Sequence, residues 1–170
     1  PGSLNEMMEN IVANAPGNKT ITDESRRALL EDEDMTDYSV VVLSRPSSKP
    51  VVTASKANDK LPPWVVVLEN FITDDEADAM IALGYKHEYK RSADVGAIKF
   101  DGTHESLQND KRTSENAWCS DHNGCRNQEV PQRLHRRMAK VMGIPAENSE
   151  DLQVLKYEEG QFYRTHHDFI

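Results

Sequence analysis

Leu152-Gln-Val-Leu-Lys-Tyr-Glu-Glu-Gly-Gln-Phe-Tyr-Arg-Thr-His-His-Asp168 is the stretch on which the reading of this chain turns. Leu152, Val154 and Tyr157 lie in a β-prone run. Glu159-Gly160-Gln161 carries turn chemistry, because glycine adopts positive φ at little cost. Phe162-Tyr163-Arg164-Thr165-His166 then resumes with aromatic and β-branched residues. The expectation is two short strands around a turn. Alternate side chains on a strand share a face, so His166 and Asp168 point one way and His167 the other. An imidazole and a carboxylate converging from one strand make two corners of a metal site. The alternative is a solvated surface pair.

Working outward, Tyr157-x-x-Gly160-Gln161-x-Tyr163-x-x-His166-x-Asp168 resembles the core motif of the prolyl 4-hydroxylase family of 2-oxoglutarate- and Fe(II)-dependent dioxygenases. Arg112-Thr-Ser-Glu-Asn-Ala-Trp118 resembles the substrate-loop segment of the same family, and the likeness covers roughly Leu61 to Ile170. The implied fold is α+β, mainly β: a double-stranded β-helix, or jelly-roll, with helices packed on one face, present here as its N-terminal part. The implied activity is peptidyl-proline 4-hydroxylation coupled to oxidative decarboxylation of 2-oxoglutarate. His166 and Asp168 would be metal ligands in a two-His, one-carboxylate iron site. Tyr157 would bind 2-oxoglutarate, and Tyr163 would line the proline pocket. Arg112 and Ser114 would sit in a mobile loop closing over the peptide, with Trp118 in the strand behind. Oxygen is the further cosubstrate, and ascorbate keeps the iron reduced. Core packing is the alternative role for Tyr157 and Tyr163.

In the family the second metal His, and the Lys or Arg that anchors 2-oxoglutarate, lie downstream of His-x-Asp. The sequence as given ends two residues past Asp168. The expectation is therefore that the native protein continues, or that another chain completes the sheet. Alternative readings are a catalytically incomplete binding module and a related dioxygenase acting on another residue.

Composition narrows the partners. The net charge of −9 and pI near 5.1 argue against a nucleic-acid partner, which calls for concentrated Lys and Arg. No apolar run approaches the ~20 residues of a membrane span. The family resemblance, not the composition, implies a proline-containing peptide or protein as the partner. Pro1-Gly2-Ser3 could be a cloning scar. Cys119 and Cys125 suit a disulfide closing a small loop, ahead of free thiols or a metal pair with His122. With the sequon Asn18-Lys-Thr20, they lean toward the endoplasmic reticulum and secretory pathway.

The chain divides into residues 1–60, expected largely irregular with a linker, and 61–170, the dioxygenase portion. Within the first part, Asp23–Leu30 could form a short helix capped by Thr22 or Asp23, and Tyr38–Leu43 a strand. Glu31-Asp-Glu-Asp34 reads as a solvated acidic run. Trp64–Leu68 reads as a buried strand by its continuous apolar character. Thr73-Asp-Asp-Glu76 fits a capping box for a helix closed by Gly84. Tyr85 to Asp110 suggests loops, with a β-prone patch at Val95–Ile98, and His87 and His104 read as surface residues. The best helix is Gln128–Met142, with Val130, Leu134, Met138, Val141 and Met142 on one stripe. Its basic face, Arg133, His135, Arg136, Arg137 and Lys140, reads as solvated, or as a site for an acidic partner.

Overall fold

The computed structural model describes residues 3–19, 21–46 and 62–166. The chain forms two compact units. One comprises 1–73 with 133–148, the other 74–132 with 149–170.

The first unit opens with helix α1 (Leu4–Ala13), where an irregular segment was expected. Its start is a capping box: Ser3 Oγ accepts from the Glu6 amide, and the Glu6 carboxylate accepts from the Ser3 amide. The Ser-x-x-Glu signal was legible, but the weak apolar stripe masked it. Helix α2 (Asp23–Leu30) is capped by Thr22, one of the two caps expected. Strand β1 (Ser39–Ser44) pairs antiparallel with β2 (Val65–Glu69), Val41 facing Val67. The fully buried strand read from Trp64–Leu68 is corrected: Val65 and Val67 are about two-fifths exposed, at 41% and 42%. Among the described residues β2 belongs to a two-stranded ribbon, which covers only part of its surface. Most of the expected linker, 47–60, lies outside the described residues.

Helix α4 (Glu129–Met142) holds Pro131 in its first turn, where a missing N–H costs nothing. Its residues from 133 onward belong to the first unit, and there the solvated-face reading is corrected. Arg137 is 1% exposed. Its guanidinium donates to the Asp34 carbonyl and, at 2.6 Å, to the Phe71 carbonyl. Arg136 forks onto the Asp34 carboxylate at 2.8–3.0 Å. Lys140 Nζ reaches Asp32 at 2.6 Å and Asp34 at 2.7 Å. The acidic run and the basic helix face, read separately as solvated, are each other's partners.

The second unit is built on a three-stranded antiparallel sheet: β3 (Lys90–Arg91), β6 (Glu115–Cys119) and β7 (Leu152–Lys156), with β6 central. Helix α3 (Asp74–Lys86) packs on β6 and β7. Gly84 does not close this helix. It lies inside, buried, and the Tyr89 ring rests where its side chain would be. Gly84→Ala is therefore expected to lower stability by about 1–2 kcal/mol in urea unfolding, because ~1–3 kcal/mol of overpacking outweighs the ~1 kcal/mol of helix propensity. Tyr89→Phe, which removes the nearest atom, should recover part of that loss.

The region read as loops holds a hairpin, β4 (Asp94–Ile98) with β5 (His104–Leu107). Its apolar residues stay outside: Val95, Ile98, Phe100 and Leu107 are all exposed. With no buried face there was no alternation to read in β5. Cys119 and Cys125 are disulfide-bonded and both fully buried. Replacing both by Ala is expected to cost about 2–3 kcal/mol, read as a lowered urea midpoint, with reductant producing a similar shift in the parent protein.

Candidate functional site

The terminal stretch does not fold back on itself as a simple hairpin. β7 pairs with β6, Glu115 opposite Lys156. Residues 157–161 then bulge out through a turn in which the Gln161 amide donates to the Glu158 carbonyl, with Gly160 at φ +83°. The chain rejoins the segment just before β6 through an antiparallel bridge, Arg112 opposite Tyr163. The Thr113 amide donates to the Phe162 carbonyl at 2.8 Å, and the Arg164 amide to the Lys111 carbonyl at 2.9 Å. Thr113 Oγ1 accepts from the Phe162 amide at 2.7 Å. Both flanks of the turn thus run along one neighbour. The two motif segments, some fifty residues apart at Thr113 and Phe162 (49), meet backbone to backbone.

A cleft forms around this meeting point, lined among others by Asp94, Arg112, Gln153, Tyr163 and His166. The Arg112 guanidinium lies 4.7 Å from the centre of the Tyr163 ring. It is steadied by the Ala93 carbonyl at 3.3 Å and Gln153 Oε1 at 3.4 Å. His166 stacks on Tyr163, 3.7 Å between centroids and 20° between planes. Its Nδ1 lies 2.7 Å from the Arg164 carbonyl. A proton on Nδ1 makes that bond.

The remaining expected site residues fall as follows. Trp118 lies in β6 beside the cleft, about half exposed at 48%. Tyr157 is exposed at the start of the bulge. Ser114 is corrected as a direct peptide contact. It has no exposed surface, and its hydroxyl donates to Ser92 Oγ at 3.0 Å, so it braces the cleft wall from behind. Asp168 lies outside the described residues. The sequon Asn18 gives its side-chain amide to the Val12 carbonyl at 2.9 Å, and Thr20 is outside the described residues.

Asp94 was not singled out from the sequence. Its Oδ2 accepts from Asn109 Nδ2 at 2.7 Å. The Asn109 amide, then the Tyr163 hydroxyl and the nearby Arg112 and His166, hold its carboxyl below the usual carboxylate range against the opposing pull of burial. Asp94 Oδ1, Arg112 Nε and His87 Nε2 are buried without a hydrogen-bond partner among the described residues. Such groups mark the cleft wall as polar and incompletely satisfied. No sequence signal pointed to Asp94, because its partners come from three separate segments.

His166 offers an imidazole nitrogen, and imidazole is a common iron ligand. Among the described residues no three His, Cys, Asp or Glu gather as a metal cluster. No helix there is long and apolar enough to cross a membrane.

No family model matches the chain. Curated proteins do. The chain is 33% identical over 133 residues to prolyl 4-hydroxylase 2 of Arabidopsis thaliana, covering 78% of this chain and 41% of that protein. It is 30% identical over 108 residues to prolyl 4-hydroxylase 1 of the same plant, covering 64% and 36%. With probable prolyl 4-hydroxylase 8 it shares 33% over 108 residues, covering 64% and 34%. The chain belongs to the prolyl 4-hydroxylase family. It spans about two-fifths of the length of the curated relatives it matches.

Proposed function

We propose that this chain is the N-terminal portion of a 2-oxoglutarate- and Fe(II)-dependent prolyl 4-hydroxylase domain, jelly-roll in architecture, that hydroxylates proline within peptides. The observation that carries the reading is the Arg112–Tyr163 bridge, which assembles both family-like motifs around one cleft.

His166, through Nε2, and Asp168 would hold the iron, and the Tyr157 hydroxyl would meet 2-oxoglutarate. Bound ferrous iron, with 2-oxoglutarate and dioxygen, supplies the oxidising power for C–H hydroxylation, and ascorbate keeps the metal reduced. The Tyr163 ring presents a flat apolar face, suited to a pyrrolidine. Arg112 fixes that ring and offers donors to a peptide carbonyl. Trp118 adds exposed aromatic surface along the wall, and Ser114 keeps the strand start rigid through Ser92. The buried disulfide fits an oxidising compartment, the endoplasmic reticulum or secretory pathway.

The test uses the full-length polypeptide that carries this chain, with ferrous iron, 2-oxoglutarate, ascorbate and a poly-proline or collagen-like peptide. Mass spectrometry should show peptide gaining single oxygen atoms at proline. Turnover of 2-oxoglutarate with no oxidised proline would transfer the reading to another target residue. No turnover at all would sink the enzyme assignment.

A further inference from the structure

The chain carries a net charge of −9, so its surface as a whole should repel an anion. The cleft around the Arg112–Tyr163 bridge is charged differently. Lys90, Arg91, Lys111, Arg112 and Arg164 all line it. Four of them converge on one backbone crossing. The Arg164 amide donates to the Lys111 carbonyl at 2.9 Å, which sets these two residues opposite each other, one step from the bridge of Arg112 to Tyr163. Arg91 donates through Nε to the Arg112 carbonyl at 3.2 Å and through Nη2 to the Asn109 carbonyl at 3.3 Å. A third guanidinium is thereby tied to the same segment.

These charges are not neutralised by their neighbours. Lys90, Arg91, Lys111 and Arg164 are exposed. Among the described residues none of the five cations belongs to an ion pair. Glu115, opposite Arg91 in the β3–β6 register, is paired instead with Lys156 at 3.7 Å. Glu88, Asp94, Glu105 and Glu150 share the lining, yet none is close enough to any of the five to pair with it. Asp94 takes Asn109 instead, at 2.7 Å. The Arg164 guanidinium lies 5.7 Å from the centre of the Phe162 ring, a contact that brings no negative charge. Lys111 and Arg164 therefore face each other with the same sign, which lowers stability. A carboxylate bound between them would offset that repulsion, and the arginine forks match its geometry.

We propose that this cluster selects peptides bearing carboxylates beside the target proline: Lys111 and Arg164, backed by Arg91, take an acidic flanking residue while Arg112 and Tyr163 receive the proline segment. The proposal rests on the reading of the cleft as a peptide-hydroxylase site and goes beyond it in naming an acidic substrate class. 2-Oxoglutarate offers the same carboxylate chemistry, and the test separates the two sources.

The first arm is equilibrium binding without turnover, by fluorescence anisotropy, on the full-length polypeptide that carries this chain. The probes are labelled proline-rich peptides, identical except for Glu, Gln or Lys flanking the prolines. At low salt the Glu peptide should bind most tightly and the Lys peptide least, with about tenfold between Glu and Gln, the scale of a few partly exposed ion pairs. The overall charge of the chain predicts the reverse order, so that order, or equal affinities, overturns the proposal. The preference should shrink as ionic strength rises from roughly 0.01 M to 0.3 M, because screening shortens the reach of exposed charges. A preference indifferent to salt overturns the electrostatic account.

The second arm combines Lys111→Gln with Arg164→Gln. The Glu-to-Gln affinity ratio should fall close to one, and Lys111→Glu with Arg164→Glu should invert it. A ratio kept at the parent value overturns the proposal. The urea midpoint of the Gln pair should hold or rise, since facing like charges are removed, and this separates the loss from unfolding. Should the pair not fold, Arg164→Gln alone must lower the ratio; an unchanged ratio there overturns the proposal equally. The third arm is the 2-oxoglutarate KM with the Gln-flanked peptide, which should not move in the Gln pair. A rise there with the peptide ratio unchanged would assign the cations to the cosubstrate and overturn the proposal. A parent protein that prefers the Glu peptide but forms no hydroxyproline overturns the hydroxylase reading alone. One that forms hydroxyproline without the preference overturns the acidic-substrate proposal alone.

Discussion

Asp34→Ala should destabilise the protein by about 3 kcal/mol, a fall of roughly 6–12 °C in Tm for a chain of 170 residues unfolding as one. Asp34 is 4% exposed, yet its carboxylate takes both prongs of Arg136 and the Lys140 ammonium. The hydrogen bond from Arg136 is the main cause that brings its pKa down to about 2. Burial acts in the opposite direction, and Lys140 adds to the lowering. A shift of that size corresponds to about 2 kcal/mol of stability. Removing the side chain also leaves Arg136 and Lys140 unpaired, which raises the cost. Their partial exposure, 45% and 41%, lets water screen them and keeps the total toward the low end for a broken buried pair. The sign in acid follows. The folded pKa lies below the unfolded one, so the contribution is whole above about pH 4 and is lost as pH falls toward 2. The parent protein should lose stability across that window, and Asp34→Ala should lose markedly less. A parallel pH dependence in the two proteins would contradict the pairing.

His166→Ala should lower ferrous-iron affinity by more than about 100-fold and hydroxylation in proportion, since even residues that only support a metal ligand cost roughly 10–100-fold. The fold should scarcely notice. His166 is exposed, and what it gives up is a stack on Tyr163 and one bond to its own backbone. The expected stability change is about 1 kcal/mol or less. Equilibrium metal binding and urea unfolding on the same variant separate the two effects. Metal affinity unchanged by the substitution would remove His166 from the ligand set.

Much of this was legible in the residues. Thr22, Pro131 and the apolar spacing of Val130, Leu134 and Met138 announce helices through local chemistry, and those helices are present. The turn at Gly160 and the strand at Leu152–Lys156 were equally readable. What failed was any inference that needed a partner from elsewhere in the chain. Gly84 reads as a helix terminus until Tyr89 is placed on it. The hairpin Asp94–Leu107 buries too little to carry a periodic signature. Ser114 belongs to a loop-like motif by pattern, but Ser92 takes its hydroxyl inward.

The amino-acid order by itself determined which residues are chemically able to form the site: the imidazole of His166, the ring of Tyr163, the guanidinium of Arg112. It also set the local turns and caps, because those interactions reach only three or four residues along the chain. The tertiary structure alone decided that Arg112 lies over Tyr163, that Asp94 lines the same cleft, and that Asp34 pairs with Arg136 a hundred positions away. Hydrogen bonds and ion pairs act over a few ångströms of space, and only the folded backbone converts distance along the chain into that proximity.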